Sequence, residues 1–425
     1  MPRPSTAVEM PGLWRRVGVT LGALLIYRLG GHIPLPGIDP WTLQQIFERN
    51  ATRGLDIFAG GAASRMSILA LGVIPYISAS TTLLLLSAAW QKFLRRPLDA
   101  YSLDAYARLG ATVLAVPQAL AIAIGLERAG GVSDPGPLFE LGTAFTLTAG
   151  SVFTMWLADQ ITRRGIGNGV GLILFSHIVS RLPSAMANLL ERGRGGAILP
   201  TAIALCLVLV AAVVALIVFM ESAERRILVL YRPRLVGSMM FEGEGAYLTL
   251  KPNGFGIIPV SWASSLALLP ATLASRSADP AGWIATLARH LQHGSLAFMA
   301  YYAGLIVFLA FLYSALLISP RAMAAALTAY DGTADRQAPG EATAHYLARL
   351  RNRLTLTGAV YVAAICLLPE ILVSLYQMPF YFGGSSLLVT VCVALDLLAH
   401  IRAHLGLPRP GRGSRRAPTG SGRAG

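Results

Sequence analysis

The chain has 425 residues, 54% of them hydrophobic and 13% charged, with a mean hydropathy of +0.58. A soluble domain carries about 25% charged residues, and a soluble core of any length still needs a polar exterior; the composition therefore excludes that class and points to a surface facing lipid. The net charge of +14 does not make a nucleic-acid binder, because the basic residues sit in short groups between apolar runs and not among aromatics on one face.

A helix needs roughly 20 apolar residues to cross the hydrocarbon. Runs of that kind predict spans near 17–34, 66–90, 105–127, 139–162, 168–190, 198–220, 254–275, 296–319, 354–375 and 381–403. The first run ends in Tyr27-Arg-Leu-Gly-Gly, with no small-residue cleavage site, so it is expected to stay as a span and not to be removed as a signal peptide. Cys206, Cys366 and Cys392 lie inside apolar runs at no metal-ligand spacing and read as small buried hydrophobes. No metal or cofactor is expected. With the N-terminus inside, the inner segments hold 25 of the 35 basic residues, from Arg3, Arg15 and Arg16 to the six arginines from Arg402 onward. The positive-inside rule then puts both termini in the cytoplasm.

Two inner loops exceed a turn. The first, about 221–251, holds Glu224-Arg-Arg-Ile-Leu-Val-Leu-Tyr231, whose alternation predicts a strand; Gly243-Glu-Gly245 offers a hairpin turn before Ala246-Tyr-Leu-Thr-Leu250. The second, about 319–353, has a turn-rich middle at Asp331-Gly-Thr-Ala-Asp-Arg-Gln-Ala-Pro-Gly340. The tail, 406–425, is rich in Gly, Pro and Arg and reads as disordered. Residues 1–195 and 196–405 carry five spans each. An odd number of crossings per half starts the second half from the opposite side, the topological condition for an inverted repeat.

The second span is preceded by the short, Gly-rich stretch Asp56-Ile-Phe-Ala-Gly-Gly-Ala-Ala-Ser-Arg65 and contains Gly72 and Pro75. Pro75 lacks an N–H and clashes one turn back, and broken backbone at membrane depth survives only where protein or water satisfies it. Two readings stand: a short half-helix that folds back to plug a central cavity, or an ordinary proline kink. A second interruption, Lys251-Pro-Asn-Gly-Phe-Gly-Ile-Ile-Pro259, opens the seventh span. Pro75 and Pro259 fall early in the second span of their respective halves, and paired interruptions point to a central pathway.

Several motifs in chain order resemble the SecY family of protein-conducting channels. They are Leu13-Trp-Arg-Arg16 with Tyr27-Arg-Leu-Gly-Gly-His-Ile-Pro-Leu-Pro-Gly-Ile-Asp39, Ala70-Leu-Gly-Val-Ile-Pro-Tyr-Ile-Ser-Ala-Ser80, and Ile161-Thr-Arg-Arg-Gly-Ile-Gly-Asn-Gly-Val170. Gly256-Ile-Ile-Pro-Val-Ser-Trp-Ala-Ser-Ser265 and Phe380-Tyr-Phe-Gly-Gly-Ser-Ser-Leu-Leu-Val389 complete the set. The resemblance implies an all-α membrane protein of about ten transmembrane helices in two inverted five-helix halves, with a short re-entrant plug helix. It implies a passive channel, not an enzyme, that secretes unfolded preproteins and inserts membrane proteins sideways. By motif, the aliphatic pore ring falls on Val73, Ile77, Val170, Leu174, Ser261 and Val389. The plug falls on about 56–65, with Ile57, Phe58, Gly60, Gly61, Ser64 and Arg65. A narrow apolar collar grips a threading chain weakly and blocks ions by dewetting. Ser261 departs from the aliphatic pattern, which predicts a collar that hydrates and opens more easily.

The resemblance further implies small SecE-like and SecG-like membrane subunits, a SecA-type ATPase motor or a ribosome, signal peptides and membrane lipid as partners, in the bacterial inner membrane. Arg225, Arg226, Arg232, Arg234 and Arg336 are the expected motor or ribosome contacts, since guanidinium groups bind carboxylate and phosphate bidentately. Ala338 stands where the family's functional arginine falls, and the loop between the second and third spans lacks the usual charged run; both departures bear on coupling to the motor. The competing class is an inverted-repeat secondary transporter or lipid flippase, which needs ionisable residues at the midplane. The candidates for that role are Asp159, His177 and Asp396.

Overall fold

Long apolar runs close their backbone hydrogen bonds within themselves, the one economical solution away from water, and the computed structural model is accordingly dominated by helices. It describes residues 10–38, 66–94, 100–128, 130–180, 182–195, 200–231, 234–236, 239–241, 246–267, 270, 282–291, 294–329, 332–334, 340–376 and 384–405. The N-terminal part holds α1 (Met10–Gly30), α2 (Ile74–Leu94), α3 (Ala100–Arg128), α4 (Pro137–Arg164), α5 (Gly169–Val179) and α6 (Leu182–Arg194), followed by α7 (Pro200–Ser222). Strands β1 (Arg225–Tyr231), β2 (Arg234–Val236), β3 (Met239–Phe241) and β4 (Ala246–Leu250) come next. The remainder holds α8 (Ile258–Ala267), α9 (Trp283–His290), α10 (Leu296–Leu317), α11 (Pro320–Ala329), β5 (Gly332–Ala334), α12 (Glu341–Tyr376) and α13 (Gly384–His404).

Among the described residues six helices are long and apolar enough to cross a membrane: Leu103–Arg128, Pro137–Arg164, Ile203–Ser222, Leu296–Ala329, Glu341–Pro369 and Gly384–His404. Ile74–Trp90 and Gly169–Val179 are shorter apolar helices. The chain is a multi-pass membrane protein. Large apolar side chains such as Phe145, Leu205, Val208 and Phe219 stand exposed on its flanks, as a lipid-facing surface requires.

Three expected spans are shorter helices than their apolar runs. The second begins only at Ile74, after turns over 66–73, and the seventh only at Ile258, after turns over 252–257. The fifth, expected over 168–190, divides at Ser180 into α5 and α6. Pro183 has no N–H to offer the Val179 carbonyl and its ring crowds that position. The second loop, about 319–353, contains α11, β5 and the first turns of α12; its middle, read as turn-rich, lies largely outside the described residues.

Packing follows small residues. Ala107, Ala111, Ala115, Ala119 and Ala123 form a buried stripe at every fourth position of α3, which lets its backbone pack between α2 and α4. In the C-terminal part, Ile217, Val260, Ala263, Ile306, Val362 and Leu388 share one core. The two parts meet where α2 lies against α10 and α5 against α13.

The strand expected from the alternation at Glu224–Tyr231 is β1, and it pairs antiparallel with β4, Arg225 opposite Leu250 through Val229 opposite Ala246. A small β2–β3 hairpin lies between them in sequence. The other edge of β1 is taken by β5 from the second loop, with Val229 opposite Ala334. The order β4-β1-β5 thus fuses the two loops into one sheet. Ile227, buried, packs with Ala324 of α11 and Ala344 and Leu347 of α12.

Candidate functional site

The interruption before α2 answers the question of what satisfies broken backbone at depth. Met66 and Gly72 adopt left-handed φ values of 42° and 54°. The stretch between borrows partners from 33–35: Ile68 N–H donates to the Ile33 carbonyl (3.0 Å) and Leu35 N–H to the Met66 carbonyl (2.9 Å). Turns then close with Ala70 N–H on the Ser67 carbonyl (2.9 Å) and Gly72 N–H on the Leu69 carbonyl (3.0 Å). The buried Ser151 hydroxyl of α4 donates to the Gly72 carbonyl at 3.0 Å. Pro75 is the second residue of α2, where a helix needs no N–H partner. It starts the helix and does not kink it.

The interruption before α8 repeats the design. Gly256 has φ 66°, Val260 N–H donates to the Ile257 carbonyl at 3.1 Å, and Pro259 is again the second residue of its helix. Asn253 donates from Nδ2 to Glu221 Oε1 at the end of α7. The Ser261 hydroxyl turns back toward the Ile257 carbonyl at 3.5 Å, so it lies along its own helix in the first turn.

α5 is started by side chains. Asn168 Oδ1 accepts from Val170 N–H (3.0 Å) and Gly171 N–H (3.4 Å), an N-cap arrangement. The Thr162 hydroxyl accepts from Gly169 N–H at 2.9 Å. Ile166 N–H reaches the Thr20 hydroxyl of α1 at 3.0 Å.

Four of the six ring candidates come together. Val73, buried, and the partly buried Ile77, Val170 and Leu174 share one apolar cluster with Leu157, Ile161, Leu172 and Ile173. Ser261 lies half-buried on α8, and Val389 lies half-buried on α13 between the buried Leu388 and Val391. The plug candidates Ile57, Phe58, Gly60, Gly61, Ser64 and Arg65 lie outside the described residues, as do Arg232 and Arg336. Arg225 and Arg226 are exposed at the start of β1, and Arg234 opens β2 opposite Phe241.

The residues considered for coupled transport are engaged elsewhere. Asp159 takes Arg108 Nη1 at 2.8 Å, with Arg108 Nη2 on Asp104 of its own helix at 2.7 Å. His177 Nδ1 and the Tyr27 hydroxyl meet at 3.2 Å in a buried pair. Asp396 is exposed and faces His400 one turn along at 3.5 Å. Sequence reasoning missed the tie between α1 and α5, in which Arg28 Nη1 donates to the Ser180 hydroxyl at 2.8 Å. It also missed the close seats at Gly150 and Gly358. No local signal marks them, since Gly142 and Gly304 also lie in apolar runs and a Cβ there would meet nothing within 4 Å.

This fold is shared with solved protein-conducting channels. The chain matches "the structure of a protein conducting channel" with a TM-score of 0.64 at 16% identity, over 97% of this chain and 98% of that one. A SecY structure concerned with the plug domain and the closed state matches with a TM-score of 0.65 at 17% identity, over the same shares. Sec61 in the canine ribosome–channel complex matches with a TM-score of 0.61 at 16% identity, again over 97% and 98%. Sequence carries the assignment further. The SecY family model matches residues 67–398. Protein translocase subunit SecY of Escherichia coli strain K12 is 40% identical over 405 residues, 92% of this chain and 91% of that protein. Its counterpart in Vibrio cholerae serotype O1 is 38% identical over 404 residues, also 92% and 91%. The chain belongs to the SecY family.

Proposed function

We propose that this chain is the central, pore-forming subunit of a translocase that secretes unfolded preproteins and releases membrane proteins sideways into lipid. The observation that carries the reading is membership of the SecY family along nearly the whole chain. The pore is passive; work comes from a partner.

The ring consists of Val73, Ile77, Val170, Leu174, Ser261 and Val389, supported by the shared packing of the first four. Its aliphatic side chains hold a moving peptide without sequence preference and exclude ions by dewetting when it is absent. Residues 56–65 form the plug. Residues 1–195 and 196–405 are the two halves that part around the peptide, and both termini are cytoplasmic in a bacterial inner membrane, in keeping with the distribution of Arg and Lys. Arg225, Arg226, Arg232, Arg234 and Arg336 face a SecA-type motor or a ribosome, with small SecE-like and SecG-like subunits in the membrane and signal peptides as the cargo's address. A coupled transporter is disfavoured by the engagement of Asp159, His177 and Asp396 described above.

The test is replacement of a depleted housekeeping SecY by this chain in cells containing SecA. Restored export, with Val170→Cys and Leu174→Cys crosslinking to an arrested preprotein, is the expected outcome. Normal membrane insertion without export or crosslinking refutes the proposal.

A further inference from the structure

The six ring residues ride on four elements, and each element is seated on α4 or α12 through a glycine. In the N-terminal half the Ile68 carbonyl, in the interruption before α2, lies so close to Gly150 of α4 that a Cβ there would overlap it. Gly169, the first residue of α5, lies in the same way on the Ala158 carbonyl of α4. In the C-terminal half the Pro252 carbonyl, in the interruption before α8, lies on Gly358 of α12. Gly384, the first residue of α13, lies on the Ile365 carbonyl of α12. The two seats are eight residues apart on α4 and seven apart on α12. Such closeness is not general to glycine in this chain: a Cβ at Gly142 of α4 or Gly304 of α10 would meet nothing within 4 Å.

The chemistry of the contact matters. Where a side chain packs on a side chain, a rotamer change absorbs a misfit. Where backbone lies on backbone, an added methyl has to displace a whole element, because packed interiors have no slack. α4 and α12 therefore hold the ring-bearing elements at fixed depth.

We propose that Gly150, Gly169, Gly358 and Gly384 are positioning residues for the pore: two matched pairs of backbone seats on α4 and α12 that set how far the ring side chains reach toward the channel axis. The proposal rests on the ring reading above. It accounts for the recurrence of one backbone contact in both halves, and it makes the seal a property of four backbone contacts as well as of the ring residues themselves.

The test uses the full chain with its small membrane subunits in planar bilayers. Gly150→Ala and Gly358→Ala are each expected to raise resting ion conductance by about tenfold, the effect of ordinary overpacking acting on the closed arrangement alone. Gly142→Ala and Gly304→Ala, which add the same methyl in open space, are expected to leave it unchanged. Adding Ser261→Ile to Gly358→Ala is expected to restore the seal, because a larger side chain refills a displaced ring; a merely loosened bundle would not be rescued in this way. If only one seat variant accumulates in membranes, its conductance decides. Unchanged conductance overturns the proposal, and so does failure of both variants to accumulate while the controls do, since the glycines then serve folding alone. Crosslinking of Val170→Cys to an arrested chain separates the two layers. Its failure removes the ring reading, whereas its success with sealed seat variants removes only the seats.

Discussion

Replacing Ser151 with Ala isolates a single bond between α4 and the interruption before α2. The hydroxyl is buried and donates to the Gly72 carbonyl, 79 residues away in sequence, at 3.0 Å. Gly72 is followed at once by Val73, so the bond fixes the turn that carries the first ring candidate. Hydrogen bonds between transmembrane segments are worth about 0.6 kcal/mol on average and about 1.7 at most. If the bond belongs to the closed arrangement only, losing it multiplies the ratio of open to closed channels by about three to sixteen, taking tenfold per 1.4 kcal/mol. Alanine is smaller than serine, so no overlap confounds the result. The assay is single-channel recording of the resting open probability, with Ser151→Thr as a control that keeps the hydroxyl. An open probability within twofold of the parent at normal membrane abundance refutes the reasoning, as does an equal rise in the Thr variant.

Gly256→Ala tests the second interruption. A Cβ there meets nothing within 4 Å and φ is +66°, so the cost is backbone strain alone, about 1–2 kcal/mol, read as a lower thermal unfolding midpoint in detergent. Val229→Pro removes a donor from the central strand, whose two neighbours both pair at that residue. Partner-driven translocation is expected to fall severalfold and both loops to become sensitive to limited proteolysis, with membrane abundance unchanged; intact loops would sink the idea. Ser261→Ile replaces the one hydroxyl among the ring candidates and is expected to lower resting ion leak, and an unaltered leak refutes the role proposed for that hydroxyl.

The parts of this architecture that were legible in sequence were those encoded locally. Apolar runs marked the helices, and Pro75 with Pro259 marked matching interruptions, although both prolines begin helices and neither bends one. The alternation at Glu224–Tyr231 marked β1. What escaped detection depends on distant partners. Gly150 and Gly358 look like any glycine in a transmembrane run until the carbonyls of Ile68 and Pro252 are laid on them. Gly332-Thr-Ala334 has no strand signature and becomes β5 only because β1 offers a free edge. Pro183 stands inside an apolar run, and the break it makes divides α5 from α6. Arg28 and Ser180 show the same limit, since nothing near either residue names the other.

The pairing of β5 with β1 also orders the birth of the protein. β1 and β4 are close enough in the chain to pair as soon as both leave the ribosome, but Ala334 lies more than a hundred residues after Val229. Between them the chain must make α8, α9, α10 and α11, and α10 belongs to a stretch long and apolar enough to cross a membrane. The sheet that bears Arg225 and Arg226 can therefore gain its third strand only in a molecule whose chain is complete through α11. A copy in which β5 has not arrived pairs only β1 with β4 and leaves one edge of β1 open beside the arginines.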